Sequence, residues 1–436
     1  MPQQKSSIPY ILIGLVVLVM IGVGVFIVIR RLSSPIPPTP PTTTEDPSFN
    51  PFGHISTTTT NNPIRTTSTS TPDDTTTKIP SLRLLSNTPV GGYGASTTAS
   101  TTIVRWVDRG RGNIYEAHGD SSSIITLSNT VVPKVYNSLW TKKLTAFVGQ
   151  TLESSSDSVN TIFAELRTRT PTTTASSSAS STSGSSFGTN VLQTPYELKG
   201  DNLPSNIVTY AMSPKGDKIF MLTNENGHGI GYISTIDGKS VTQIFDSLIT
   251  QVTAEWPEDN TIAITTKASA LQDGYLYFIN PKTGVWTNIL GPIVGLTTKV
   301  SHDAKYILVS TGGTGSVSTS IYNITKKTSV DAVMRTLADK CVWGNFNVTM
   351  LYCAVPTQIT SGNYPDDWYS GILSKPDKIW QVNASSGEIR LVTSIVDQSD
   401  RVIDAFNLGM DPKDEYIYFM NKNDLSLWSF DLVQPQ

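Results

Sequence analysis

The chain has 436 residues, enough for one large or two medium domains, with a formal net charge of −3 and only 15% charged residues. That balance gives no electrostatic case for nucleic acid, and two Cys and four His are too few for a clustered Cys/His metal site. Ser and Thr abound, which suits a β-rich extracytoplasmic protein better than a helical cytosolic enzyme.

Residues 1–9 form a short polar tail. Next comes "YILIGLVVLVMIGVGVFIVI" (Tyr10–Ile29), 20 residues without a charge. At about 1.5 Å rise per residue, a helix of this length crosses a hydrocarbon core roughly 30 Å thick. No small-residue cleavage site follows and no Cys lies nearby, so the expectation is an uncleaved single-pass anchor at 10–29, in contact with the cell membrane. Lys5 stands before the span and Arg30 and Arg31 after it, which leans against an exported C-terminus. The segments that follow read as envelope material, so the expected orientation is C-terminal domain outside, with that conflict standing.

Residues 30–80 are nearly all Pro, Thr and Ser, too poor in apolar groups to offset chain entropy by burial. Such a segment is expected to be a disordered, semi-stiff stalk. At its end "LSNTPV" (Leu85–Val90) nearly copies "LSNTVV" (Leu127–Val132).

From residue 81 onward a unit repeats. An aromatic residue recurs on short strand-like runs at Tyr115, Phe163, Tyr232, Tyr277, Tyr322, Trp380 and Trp428, at intervals of 48, 69, 45, 45, 58 and 48 residues. The two long intervals contain a Ser/Thr-rich insertion (168–190) and a long loop (357–377). Each aromatic run is followed by a turn and another apolar run. Most are preceded by a second hairpin, such as "TYAMSPKGDKIFMLT". Two hairpins per period make four strands, with the alternation of apolar and polar residues that strands require. Seven four-stranded units at an even period predict an all-β, seven-bladed β-propeller over 81–436. The last unit has no room for its fourth strand after Trp428. Leu82–Ser86 has the pattern of the outer strand near Ser123–Asn129 and is expected to supply it, closing the ring from the N-terminal side.

At "SPKGDKIF" (Ser213–Phe220) and "DPKDEYIYF" (Asp411–Phe419) the chain resembles the WD40-like repeats of the TolB-type propeller family. Ser213, Pro214, Gly216 and Pro412 match that pattern, whereas Lys215, Asp411, Lys413 and Asp414 depart from it. The resemblance implies the propeller architecture alone. TolB's small N-terminal α/β domain has no counterpart here, so TolB's role is not implied.

The most concentrated chemistry lies in "YPDDWYSG" (Tyr364–Gly371), where Asp366 and Asp367 adjoin Trp368 and Tyr369. Loops on rigid scaffolds carry binding, and exposed Trp and Tyr anchor interfaces. These four residues are the candidate partner-binding group, against the plainer reading of a capped turn whose Trp368 packs on its blade. Cys341 and Cys353 flank an inner hairpin and are either a disulfide or two buried thiols. His118, His228 and His302 fall at different places in the repeat and are not expected to converge. "GSSFG" (184–188) and "GGTGSVSTS" (312–320) lack the strand and helix context of a nucleophile elbow or phosphate loop. No catalytic residue, metal or cofactor is identified. The expected function is a non-enzymatic, membrane-anchored propeller that binds an envelope protein or glycan. The alternative is a propeller lyase or hydrolase working in the central funnel.

Overall fold

The computed structural model describes residues 79–98, 100–152, 159–169 and 194–433. The expected anchor (10–29), the expected stalk up to residue 78 and residues 170–190 of the insertion lie outside the described residues. Among the described residues no helix is long and apolar enough to cross a membrane.

Seven four-stranded antiparallel sheets form the seven blades of a propeller. Blade 1 runs through Val90–Thr97, Thr102–Asp108, Ile114–His118 and Ile124–Ser128. Blades 2 to 6 repeat that order, each strand pairing with the next strand of its own blade. Every recurring aromatic of the sequence, from Tyr115 to Trp428, falls on the third strand of its blade. First strands lie against one another between blades 1 and 2, 3 and 4, 5 and 6, 6 and 7, and 7 and 1, and the last of these contacts closes the ring. An apolar cluster fills each of the seven seams between blades.

Blade 7 is composite. Its first three strands, Ala405–Met410, Tyr416–Asn421 and Leu427–Asp431, come from the C-terminal end, and its outer strand is Leu82–Ser86. Alternation along that short strand serves both neighbours. Leu82 enters the cluster between blades 6 and 7, and Leu85 enters the cluster between blades 7 and 1. Arg83 points toward blade 1 and donates to the carbonyls of His118 (3.1 Å) and Ser121 (2.7 Å). The copied "LSNT" has the same role twice. Leu85 and Leu127 are buried, and Ser86 and Ser128 turn the chain into the next inner strand.

The turn joining the first and second strands explains the degenerate TolB-like motif. In blades 2, 3, 5 and 7, Thr141, Ser213, Ser301 and Asp411 occupy one position. Each accepts on its side-chain oxygen the N–H five residues on, at 3.3, 3.0, 2.9 and 2.7 Å respectively. Each also accepts on its carbonyl the N–H three residues on. That third residue has positive φ: Leu144 at 55°, Gly216 at 74°, Ala304 at 51° and Asp414 at 60°. Gly is the unstrained choice there. A hydroxyl or a carboxylate satisfies the acceptor position equally, which is why Asp411 replaces Ser.

Candidate functional site

The topology gives the ring two faces. First-to-second and third-to-fourth strand turns share one face; second-to-third strand loops and the connections between blades share the other. At the turn face, all seven blades line a cavity of about 650 Å³, with Tyr93, Trp140, Trp256 and Met410 among its walls. At the loop face a second cavity of about 560 Å³ opens, lined by Arg109, Tyr136, Lys299, Asp339, Trp368 and Lys422 among others. Asn407 and Leu408 border both.

The loop-face mouth is shaped by the long loop after the second strand of blade 6. Its neck closes with Thr357 N–H on the Pro376 carbonyl at 2.9 Å, so the intervening residues form a strap. Asn363–Tyr364 pairs with Gly313–Thr314 of blade 5. Contact is close enough that a Cβ on Gly312 would stand 2.1 Å from the Tyr364 carbonyl oxygen. Asp366 accepts the Ala270 N–H of blade 4 at 2.5 Å, and Ser374 donates to Asn423 of blade 7 at 2.8 Å. The strap therefore touches four blades and has its own apolar cluster, which includes Leu337, Tyr364 and Trp368.

The four candidate residues separate within this strap, on or beside the short helix Asp366–Tyr369. Asp366 ties the strap to blade 4, and Asp367 accepts the Asn363 N–H at 2.8 Å. The two carboxylates are thus fastenings on different segments rather than a facing acid pair. Trp368 and Tyr369 do reach the mouth. Trp368 is only 7% exposed and donates its indole N–H to both oxygens of Asp404, at 3.2 and 3.1 Å. Tyr369 donates its hydroxyl to Asp339 at 3.1 Å.

Behind Trp368 lies a buried ionic cluster. Lys340, 2% exposed, pairs with Asp377 at 2.8 Å and with Asp404. Ala405 N–H also binds Asp377 at 2.6 Å. Burial opposes the charge on Lys340, but the two carboxylates outweigh it and raise its pKa. Burial pushes Asp377 up to about 7, against the pull of Lys340 and with the help of Asp404. The two directions agree with a simple count: one ammonium neutralises one of two acids, and the second acid resists ionisation. Lys340 and Lys422 both lie over the Trp368 ring, at 5.4 and 5.2 Å.

Across the mouth, Arg109 sits over Tyr136 at 6.0 Å and donates to the Tyr136 carbonyl at 3.2 Å. Lys299 pairs with Glu255 at 2.8 Å, and that carboxylate chiefly raises its pKa. Asp339 is exposed to the channel yet crowded by its walls, and that crowding raises its carboxyl above the usual range.

The three histidines of the ring stay apart. His118 bonds Glu116 at 2.9 Å, His228 bonds Asp246 at 2.7 Å, and His302 lines the turn-face cavity, its pKa lowered by burial. Among the described residues, no three His, Cys, Asp or Glu side chains gather as a metal site. Cys341 and Cys353 are directly paired on the first two strands of blade 6 and joined by a disulfide. Arg109, Lys299, Asp339, Lys340, Asp404 and Lys422 were not singled out by the sequence. Apart from the neighbours Asp339 and Lys340 they are scattered along the chain, and only stacking the blades on one another brings them to notice.

Fold and mouth together define a seven-bladed β-propeller, the architecture that the TolB-type resemblance implied. No family model and no curated protein matches the chain. Similar solved structures include an oligogalacturonate lyase in complex with manganese (10% identity, 79% of this chain and 97% of that one, TM-score 0.47). They also include TolB from Acinetobacter baumannii (12% identity, TM-score 0.39) and a Mycobacterium tuberculosis puromycin-hydrolyzing peptidase (11% identity, TM-score 0.42). The chain covers 65% and 76% of its own length in these last two, but spans 60% of the TolB chain and 52% of the peptidase chain. The lyase and the peptidase correct the expectation that the chain is not an enzyme. That expectation rested on the lack of a catalytic motif in sequence, and a ring can assemble a site from residues on separate blades that leave no such motif. At about 10% identity, the likeness assigns no activity to this chain.

Proposed function

We propose that the chain is a membrane-anchored, extracytoplasmic propeller that binds a protein or glycan partner at the cell envelope through its loop-face mouth. The observation that carries this reading is the strap. The insertion in blade 6 is fastened to four blades and delivers Trp368 and Tyr369 to the wall of a 560 Å³ cavity. Cavities of roughly 300–1,000 Å³ with aromatic walls and a few placed polar groups are the usual form of a binding site. The uncharged span Tyr10–Ile29 supports anchoring.

The test is site-specific photocrosslinking in intact cells. A crosslinker at Tyr369 should capture a partner that one at Phe346, on the turn face, does not. The reverse result would move the site to the other face. Protease added after opening the outer barrier should reach the ring; a protected ring would end the exported reading.

A second reading, a lyase or hydrolase working in the central funnel, is favoured by one observation. Lys299 pairs with Glu255 at 2.8 Å and lines the loop-face cavity with Asp339, while His302 lines the turn-face cavity, so acids, a cation and an imidazole all border the channel. Turnover of an oligouronide or a peptide amide by the native chain, and not by Lys299→Ala, would support it. Turnover by neither would remove it for those substrates.

A further inference from the structure

Arg109 and Lys422 are the same residue of two adjacent blades. Each directly follows the second strand of its blade, Thr102–Asp108 in blade 1 and Tyr416–Asn421 in blade 7. Each donates its backbone N–H to the connection that leads into its own blade: Arg109 to Pro89 at 2.9 Å, Lys422 to Asp404 at 2.8 Å. The two therefore flank the seam where the ring closes, and both line the loop-face cavity. Among the described residues, no carboxylate lies within ion-pair distance of either. The other cation of the mouth, Lys299, is already paired with Glu255. The mouth's own acid, Asp339, is engaged by Tyr369.

We propose that the loop-face mouth binds an acidic peptide, with its carboxylates engaging Arg109 and Lys422 at the cavity wall. This rests on the reading of that mouth as the binding surface. Two cations without acid partners at the wall of a cavity are poised for a ligand anion, and a guanidinium is suited to a carboxylate. A peptide is favoured over an acidic glycan because two of the aromatic rings at the mouth, Tyr136 and Trp368, already carry cations. Arg109 lies over Tyr136, and Lys340 and Lys422 lie over Trp368, so sugar rings find those platforms occupied. Asn137 and Asn407 at the same wall supply amides suited to a peptide backbone. The chain as a whole is negative, so capture of an acidic segment depends on this local pair and not on overall attraction.

Lys267 supplies an internal control. It holds the same repeat position in blade 4, donating its N–H to the Gln251 carbonyl at 2.9 Å, but it does not line the cavity. The experiment is calorimetric titration of the full chain with acetylated hexaglutamate, with hexaglutamine and a hexameric uronic acid as comparators. Hexaglutamate should bind and hexaglutamine should not. Arg109→Ala and Lys422→Ala should each weaken hexaglutamate about tenfold or more, Lys422→Arg should restore it, and Lys267→Ala should leave it unchanged. Binding by both alanine variants as tight as that of the native chain, or no binding by the native chain, overturns the proposal. Tighter binding of the uronic acid hexamer overturns the peptide assignment. A partner crosslinked at Tyr369 whose capture ignores both cations overturns the acidic ligand and leaves the binding mouth standing.

Discussion

The two mouths of the channel are built by opposite means. The turn face repeats itself: Thr141, Ser213, Ser301 and Asp411 close four of its turns with the same side-chain bond. The loop face depends on one insertion, and its fastenings are long-range and used once. One is a strand pairing with blade 5, and another is a buried ammonium between two carboxylates. Repetition spreads stability over many equal, replaceable bonds. The single insertion concentrates both stability and chemistry in a few residues, as expected of loops carried on a rigid scaffold.

The largest effect should come from removing what both mouths share. A chain beginning at Val90 loses the outer strand of blade 7. Leu82 and Leu85 go with it, each worth roughly 1.5–3 kcal/mol of burial, and so do the bonds of Arg83 to blade 1. It should melt far below a chain beginning at Lys78, and both mouths should fail together. Equal melting temperatures would show that the strand is not the clasp of the ring.

Next in size is Lys340→Met, which strands Asp377 and Asp404 as buried acids without a cation. Breaking a buried pair in this way costs about 3–5 kcal/mol, readable as a shift in the denaturant midpoint. The turn-face counterpart, Ser301→Ala, removes one local acceptor, for a cost of about 1 kcal/mol. If the two losses proved equal, the contrast between the mouths would collapse.

A pH series sharpens the contrast further. Unfolded, Asp377 titrates near about 4, whereas in the folded ring it titrates near about 7. Over that window the folded state holds the extra proton. The stability this group contributes is therefore fully present below about pH 4 and lost as pH rises through about 7. Asp377→Asn should flatten that decline between about pH 4 and 7, while Ser301→Ala should leave its slope unchanged. A slope that survives Asp377→Asn would assign the titration to another group.

Much of the ring could be read directly. The aromatic residue of each third strand packs against neighbours at a fixed place in the blade, so selection on packing leaves a period. The closing strand was legible for the same reason, since Leu82–Ser86 must look like an outer strand to serve as one. The turn motif was only half legible. Two copies match in letters, while Thr141 and Ser301 share the geometry without the Pro-Lys spelling, because the turn needs an oxygen and a positive φ rather than particular residues. The mouth was least legible. Trp368 and Tyr369 stood out as aromatics beside acids, but their partners Asp404 and Asp339 are remote in sequence. Arg109 and Lys422 become visible only when blades 1 and 7 are superposed strand on strand. The acids Asp366 and Asp367 drew notice for chemistry, and the structure uses them as fastenings.

The closing strand has a mechanical consequence. Leu82–Ser86 is the first strand of the ring along the chain, so tension carried by the residues ahead of it enters the ring at its own clasp. Pulling on that strand strains its ladder with Leu427–Asp431. It also strains the seam between blades 7 and 1, where Arg109 and Lys422 stand. Leu82 and Leu85 of that strand belong to the two seams that flank blade 7, so a pull applied there loads both of them before any other seam.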